Sequence, residues 1–375
     1  VRIGDVRDRA FLETLPPADW ILDCAANPSV LAGVDGSDTR DLVDQNLYGT
    51  INLLELCKTW TAGFILLSTS RVYSIPPLAG LPLRESPTRF EPDFQPPATD
   101  WAQPERPGFP DAQDSKTRNP DPYLHSDFSP LCSLVPPVAK IGLSLSGLTE
   151  SFPTTPPVSL YGSTKICSEH LALEYGGTFG FPVWINRCGV LAGAGQFGKA
   201  DQGIFSYWIH SWKAGRPLKY IGFGGTGKQV RDCLHPKNLV PLLMKQMATS
   251  STKDTKNSNS PSSLCSPVPP AAKPPLPRVI NVSGGIANSM SLLELSHWCQ
   301  SRFGPHPNSQ YLVPSCASSG KNFVEIRAFD IPWIVLDPSL AKETWDWSPA
   351  TPLTDILEEI AQHAEANPDW LDLVS

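Results

Sequence analysis

No stretch of the 375-residue sequence approaches 18 consecutive apolar residues, and Val1 opens directly on "VRIGDVRD" without a basic or apolar leader. A membrane-spanning helix of ordinary length is excluded on that pattern, and a soluble, cytoplasmic chain with no membrane partner is the expectation. Basic runs are equally scarce. Thirty Lys and Arg against 37 Asp and Glu leave a formal charge of −7, so there is no electrostatic footprint for nucleic acid or an anionic surface. Small-molecule partners are expected instead. The nine Cys form no CxxC pair and the seven His no HxH or HExxH pattern, which removes the usual metal-ligand spacings and leaves reduced, mostly buried thiols. No metal is expected.

What the sequence has in excess is proline. Of 40 Pro, 18 fall in 76–157 and seven in 249–278. Proline lacks the backbone donor, and these stretches show little apolar periodicity, so they read as inserts without sheet or long helix. The first spans about 76–150 and the second about 249–278.

Outside the inserts the pattern alternates. A short segment "VRIGDV" leads to "ADWILDCAA", an apolar run bounded by polar turns that reads as a buried strand. "RDLVDQNLYGTINLLELCKTW" sets Leu42, Leu47, Ile51, Leu54 and Leu56 near one helical face. "GFILLSTS" is a second strand, "YGSTK" opens a helix after the insert, and "FPVWINRCGVL" is a third strand. Strand, helix, strand, helix, strand predicts an α/β fold, a doubly wound parallel sheet with right-handed crossovers, over 1–190. The half 191–375 is less regular. "PLKYIGF", "VINVSG" and "IPWIVLD" are strand-like, Ser291 and Glu294 offer a capping box for a helix ending at Gly304, and "TPLTDILEEIAQHAEANPDWL" is a last surface helix. This half is expected to form a smaller lobe over the sheet, with interleaving of elements allowed.

Two glycine motifs point elsewhere than their patterns. "GAGQFG" (193–198) matches GxGxxG and follows a strand, but "PLKYIGFG" supplies no acid about 20 residues on for a ribose, so it reads as a substrate-facing loop. "GFGGTGKQ" (222–229) has Gln where a phosphate loop needs Ser or Thr, and Pro236 follows too soon for a helix. It is predicted to be a tight turn.

The chemistry rests on hydroxyls. Tyr161 and Lys165 share a helix face one turn apart, so an ammonium could hold down a phenol whose ordinary pKa is about 10. Such pairs also occur on many solvated helices, and the pair alone does not decide. The strand "FILLSTS" adds a second clue, because Ser68, Thr69 and Ser70 end an apolar strand where ligands sit in parallel sheets.

Together, "GDVRD" (4–8), "CAAN" (24–27), "NLYGTINLLE" (46–55), "FILLSTSRVY" (64–73), "YGSTK" (161–165), "RCGVLAGAGQFG" (187–198), "GKQVRDCLHPKNL" (227–239) and "RAFDIPW" (327–333) run in the order of a known family. The chain resembles an extended short-chain dehydrogenase/reductase, the NAD-dependent sugar-nucleotide epimerase/dehydratase family with a Rossmann-like domain. The resemblance implies Tyr161 as acid/base, Lys165 as its pKa-lowering partner and ribose ligand, and Thr69 as the third catalytic hydroxyl, with Ser68 and Ser70 as neighbouring spares. It implies NAD as cofactor, held also by Asp5, Val6, Ala25, Ala26, Asn46 and Ser68. The implied substrate is a nucleotide-diphosphate sugar, gripped by Gln202, Arg231, Arg327 and Asp330. Hydride would leave the sugar for NAD and return to the other face, and a homodimer would form through the helices near 42–60 and 161–178.

Two departures bear on the reaction. Family members that eliminate water carry Asp and Glu after this Thr, where Ser70 and Arg71 stand, so dehydration is disfavoured. "GQFGKADQGIF" with "GKQVRD" is especially similar to CDP-sugar 2-epimerases, although Val190 and Gly195 depart from that pattern; UDP-sugar 4-epimerases come next. The alternatives are a reductase or dehydratase with the same triad, or a non-catalytic scaffold recruiting partners through its proline-rich arms. The family's opening strand, glycine fingerprint and second strand are not found ahead of "VRIGDV", which is similar to the end of its third strand. The expectation is that about 50 residues precede Val1, and that the chain as it stands has an open sheet edge and binds NAD poorly.

Overall fold

The computed structural model describes residues 1–34, 36–94, 142–199, 202–249, 275–308 and 330–374. In chain order the strands are β1 (Trp20–Asp23), β2 (Gly63–Thr69), β3 (Leu83–Glu85), β4 (Phe90–Pro92), β5 (Leu143–Ser144), β6 (Gly147–Leu148), β7 (Val183–Cys188), β8 (Val190–Leu191), β9 (Val230–Leu234), β10 (Val279–Val282), β11 (Ser289–Ser291) and β12 (Trp333–Ile334). The helices are α1 (Arg9–Leu12), α2 (Thr39–Val43), α3 (Gly49–Trp60), α4 (Ile75–Ala79), α5 (Leu160–Phe179), α6 (Ile204–Lys213), α7 (Leu239–Thr249), α8 (Leu292–Phe303), α9 (Ser339–Trp345) and α10 (Leu353–Ala366).

β2 reads as a continuous apolar run because both of its faces are covered. It lies between β1 and β7 in a parallel sheet of order β1-β2-β7-β10. Successive side chains alternate between two cores. Phe64 and Leu66 join Leu53, Leu54 and Cys57 of α3 and Ala172 of α5, while Ile65 joins Trp184, Leu242, Leu243, Ile280 and Trp345 beneath α7 and α9. Each such Leu, Ile or Phe contributes about 1.5–3 kcal/mol by leaving water. β1 stands at the edge of this sheet. Among the described residues no helix is long and apolar enough to cross a membrane.

The second lobe forms on β9, which pairs with β8, β11 and β12. Its core lies between α6, α8 and α10, where Trp208, Ile209, Leu295, Ile356, Leu357 and Ile360 are buried together. The capping box is formed as the sequence implies: Ser291 Oγ accepts from Glu294 N at 3.0 Å, Glu294 Oε2 accepts from Ser291 N at 2.8 Å, and Gly304 ends α8 at φ 86°.

Several expectations are corrected. The 190/191 division does not separate the lobes, because α7 and β10 return to the first sheet, whose last position β10 fills. The first insert carries two antiparallel hairpins, β3–β4 and β5–β6; their ladders are two or three residues long, so Pro92 sits at a strand end where its missing donor costs little. "PLKYIGF" has the right alternation, burying Leu218 and Tyr220, yet it pairs with no strand among the described residues and runs into glycines at left-handed φ, Gly222 and Gly224. "VRIGDV" likewise forms no strand, with Val1 and Ile3 fully exposed.

The lobe also carries a pH response. His210 of α6 is 3% exposed and faces His363 of α10, Nε2 to Nδ1 at 3.3 Å. Burial, then the charges of His363 and Arg216, push its pKa down to about 4. The unfolded chain therefore binds the proton first: the stabilisation is complete above about pH 6.5 and is lost as the pH falls toward and through 4, about 3 kcal/mol in all. Urea unfolding at pH 7 and pH 4 should show that loss, and His210→Asn should flatten it; an equal acid loss in the variant would assign the effect elsewhere.

Candidate active site

Thr69 is the last residue of β2, and its Oγ1 accepts from Arg71 N at 3.2 Å to cap the short turn Ser70–Val72. α5 begins opposite. Ser159 caps it, Oγ accepting from Gly162 N at 3.1 Å, and holds a φ of 90° that non-glycine residues rarely adopt. Gly162 explains the glycine of "YGSTK": a Cβ there would lie 2.4 Å from the Arg71 carbonyl oxygen. Without a side chain, the first turn of α5 packs directly on the turn after β2. That contact sets Tyr161 and Thr69 on the wall of one cavity, with the Thr69 hydroxyl placed to lower the pKa of the phenol.

Tyr161 is 7% exposed, and burial raises its pKa; the Thr69 hydroxyl and the charge of Arg71 pull it back, while Cys188 adds to the rise. Lys165, 2% exposed, has its pKa lowered by burial and supported by Asp23 and then Glu169. No hydrogen bond or ion pair reaches its ammonium among the described residues. Asp23 and Glu169 are the carboxylates that support the lysine's charge.

Asp23 is held for that position. Its carboxylate accepts from Thr50 Oγ1 at 2.7 Å and from Ala25 N at 3.0 Å. Asn46, fully buried, lies in a π-helical turn, Asp44–Tyr48, between α2 and α3. It accepts from Asn27 N at 2.7 Å and donates to Asn27 O at 3.0 Å and Thr164 Oγ1 at 3.2 Å, tying the Ala25–Ala26 strand end to α5. π turns often occur where a helix must place one side chain in a site. Ser68 is not a spare hydroxyl: it donates to Glu169 Oε1 at 2.5 Å.

In front of Thr69 and Tyr161 opens a cavity of about 390 Å³, within the range of small-molecule sites. Its lining includes Ser70, Arg71, Gln202, Arg231 and Asp330, with Val190 and Gln229 on the walls. Arg231 is drawn down to about 9 by burial and by the like charge of Arg71, against the support of Asp330 and Asp232. Asp232 turns away from the cavity, accepting from Leu336 N at 3.2 Å, and burial pushes it up to about 6. Two guanidinium groups and one lining carboxylate leave the cavity short of negative charge.

The structure therefore brings together Ser68, Thr69, Tyr161, Gln202, Arg231 and Asp330, with Lys165, Ala25, Ala26 and Asn46 behind them. Asp5 and Val6 lie apart from the cavity lining. Arg7 hydrogen-bonds Asp5 and holds its carboxyl below the usual range, and Val6 packs on Gly49 of α3, its Cγ2 2.7 Å from where a Cβ would stand. Arg327 lies outside the described residues. Sequence reasoning missed Asp23, whose signal was an acid closing the apolar run "WILD", and Glu169, one turn beyond Lys165. It took Arg71 only as a missing carboxylate.

Residues 132–258 match the model of the NAD dependent epimerase/dehydratase family. CDP-paratose 2-epimerase of Salmonella typhi is 29% identical over 144 residues, 36% of this chain and 35% of that protein, so the match spans about a third of the relative's length. The chain is also similar in structure to UDP-glucuronic acid 4-epimerase from Bacillus cereus, in complex with UDP-glucuronic acid and NAD, at 20% identity and TM-score 0.57 over 97% of this chain and 80% of that one. UDP-glucose 4-epimerase from Thermotoga maritima, with UDP-glucose, gives 15% identity and TM-score 0.56 over 97% and 84%. At these identities the two structures speak to the fold, a Rossmann-type sheet with a smaller lobe.

Proposed function

We propose that this chain, of which residues 132–258 match the NAD dependent epimerase/dehydratase family, is a sugar-nucleotide epimerase of that family acting by transient oxidation of a sugar carbinol. The observation that carries the reading is the Thr69–Tyr161 hydroxyl pair at the head of a cavity that also holds Arg71 and Arg231. A nucleotide-diphosphate sugar has the matching parts: a carbinol for the hydroxyls and a diphosphate for the Arg231 guanidinium, which meets phosphate oxygens two at a time. The 2-position of a CDP-sugar is the first candidate and the 4-position of a UDP-sugar the second.

NAD, when bound, supplies the acceptor and donor of a hydride. The residues present fit its nicotinamide ribose, because the Lys165 ammonium is buried, has no hydrogen-bond partner among the described residues, and lies beside the Ala25–Ala26 strand end. Tyr161 takes the carbinol proton as the carbonyl forms, and Thr69 shares that hydrogen bond. The same proton is returned when the carbinol re-forms with the opposite configuration. Arg231 and Asp330 hold the diphosphate and ribose while the sugar turns. Ser70 and Arg71 offer no carboxyl to eliminate water, which separates this reading from a dehydratase. The protein is further read as a cytoplasmic homodimer with α3 and α5, adjacent on one sheet face, forming the contact; light scattering at about the monomer mass would contradict the pairing.

The full-length protein is tested by identifying retained nucleotide with mass spectrometry, then incubating with a panel of nucleotide sugars in deuterated water. Isomerised product without solvent deuterium is expected. Loss of water would indicate a dehydratase, and neither retained NAD nor turnover on any sugar would overturn the proposal.

A further inference from the structure

Two cations flank the active tyrosine from different elements. Lys165 follows Tyr161 one turn along α5, its charge supported by Asp23 and Glu169. Arg71 comes from the turn after β2, and its backbone is fixed at both ends: its N–H is bound to Thr69 Oγ1 at 3.2 Å, and its carbonyl lies against Gly162, with no room for a Cβ at 2.4 Å. Its side chain lines the same cavity as Tyr161, Thr69, Arg231 and Asp330. The cation on the cavity side of the phenol is therefore an arginine, held on the turn that also carries the catalytic threonine.

We infer that Arg71 is a positioning residue for Tyr161, a second cation that stabilises the phenolate from the cavity side. The inference rests on Tyr161 being the proton-transfer group. Three groups act on the phenol, Thr69 at the end of β2, Arg71 in the turn and Cys188 at the end of β7, and Lys165 follows one turn along α5. Of these, Thr69 and Arg71 favour the ionised form and Cys188 opposes it. Arg71 in turn is faced by Asp330, which supports its charge, and by Arg231, which it repels. An arginine suits the place because its charge survives burial where a lysine's is more easily lost. The position that carries an elimination carboxylate in dehydrating relatives thus serves the opposite electrostatic purpose here: it supports an anion on Tyr161.

The test reads ionisation directly, so it does not depend on knowing the substrate. The full-length protein is labelled with [ζ-13C]tyrosine, the Tyr161 resonance is identified by its loss in Tyr161→Phe, and its titration is followed by NMR in wild type, Arg71→Met and Arg71→Lys. The Arg71→Met midpoint should rise by at least one pH unit, and Arg71→Lys should recover most of the difference. Should the sugar panel show turnover, the acid limb of kcat should move up by the same amount. An unmoved titration in Arg71→Met overturns the inference, and a raised KM with that unmoved titration would make Arg71 a substrate-anion ligand instead. Failure of the epimerase reading would leave the titration shift standing, so the two failures are separable.

Discussion

Tyr161→Phe should lower turnover by about 10³-fold, the order that a positioned proton-transfer group contributes, with KM and the fold little changed. The ring fills the same space, so the packing around a residue only 7% exposed is kept. What goes is one oxygen. The hydroxyl of the bound sugar then keeps its proton at the moment the carbonyl must form. Stability should fall by no more than about 1 kcal/mol, the net worth of one neutral hydrogen bond. The measurement is kcat and KM on the best sugar of the panel, with far-UV circular dichroism as the control. A rate within threefold of wild type would remove Tyr161 from the mechanism and leave its buried hydroxyl as a structural bond. Because the loss would fall on kcat rather than KM, it would also show that the hydroxyl acts in the transition state and not in holding the substrate.

How far the site could be read from the residues follows from which contacts are local. β2 was legible because burial on both faces writes an unbroken apolar run, and its hydroxyl end marked the ligand side of the sheet. Tyr161 and Thr69 were legible as residue types, but their meeting on one cavity wall depends on Gly162 letting two distant turns touch. The partner of Lys165 was not legible. Helical spacing set it against Tyr161, whereas the fold offers it the buried carboxylate of Asp23, 142 positions away (165 − 23), which only the sheet brings near. Arg71 shows the same limit with the opposite sign. Its sequence position said what chemistry was absent, and only the cavity shows where its charge is directed. The strand expected at "PLKYIGF" failed for a related reason: alternation records burial, which Leu218 and Tyr220 do have, but a strand also needs a ladder partner.

Glu169→Gln should cost about 3–5 kcal/mol of stability, the range for breaking a buried ion pair, and lower the melting temperature by about 10 °C. Glu169 and Arg187 are 2% and 10% exposed in their side chains and meet in a two-pronged contact, Arg187 Nη2 to Glu169 Oε2 at 2.7 Å and Nε to Oε1 at 3.1 Å. Ser68 donates to the same carboxylate at 2.5 Å, and the guanidinium lies 5.3 Å from the ring centre of Tyr73, whose hydroxyl donates to Asn281 at 2.6 Å. The network thereby ties β2, α5, β7 and β10 together directly beneath Thr69. Burial alone would lower the Arg187 pKa, but the Glu169 hydrogen bonds and charge outweigh it and raise it. Glutamine keeps the shape and one acceptor, and leaves Arg187 charged, buried and uncompensated, which is where the cost arises. Arg187→Met in the same chain should recover part of the loss, because the unpaired charge then goes too. Thermal and urea unfolding of the two single variants and the double variant measure the coupling. Additive losses in that cycle would mean the pair contributes no more than its two side chains separately. A coupling of several kcal/mol would identify the ion pair as the support under the strand that carries Thr69, and Glu169→Gln should then also loosen Lys165, whose charge Glu169 helps to hold.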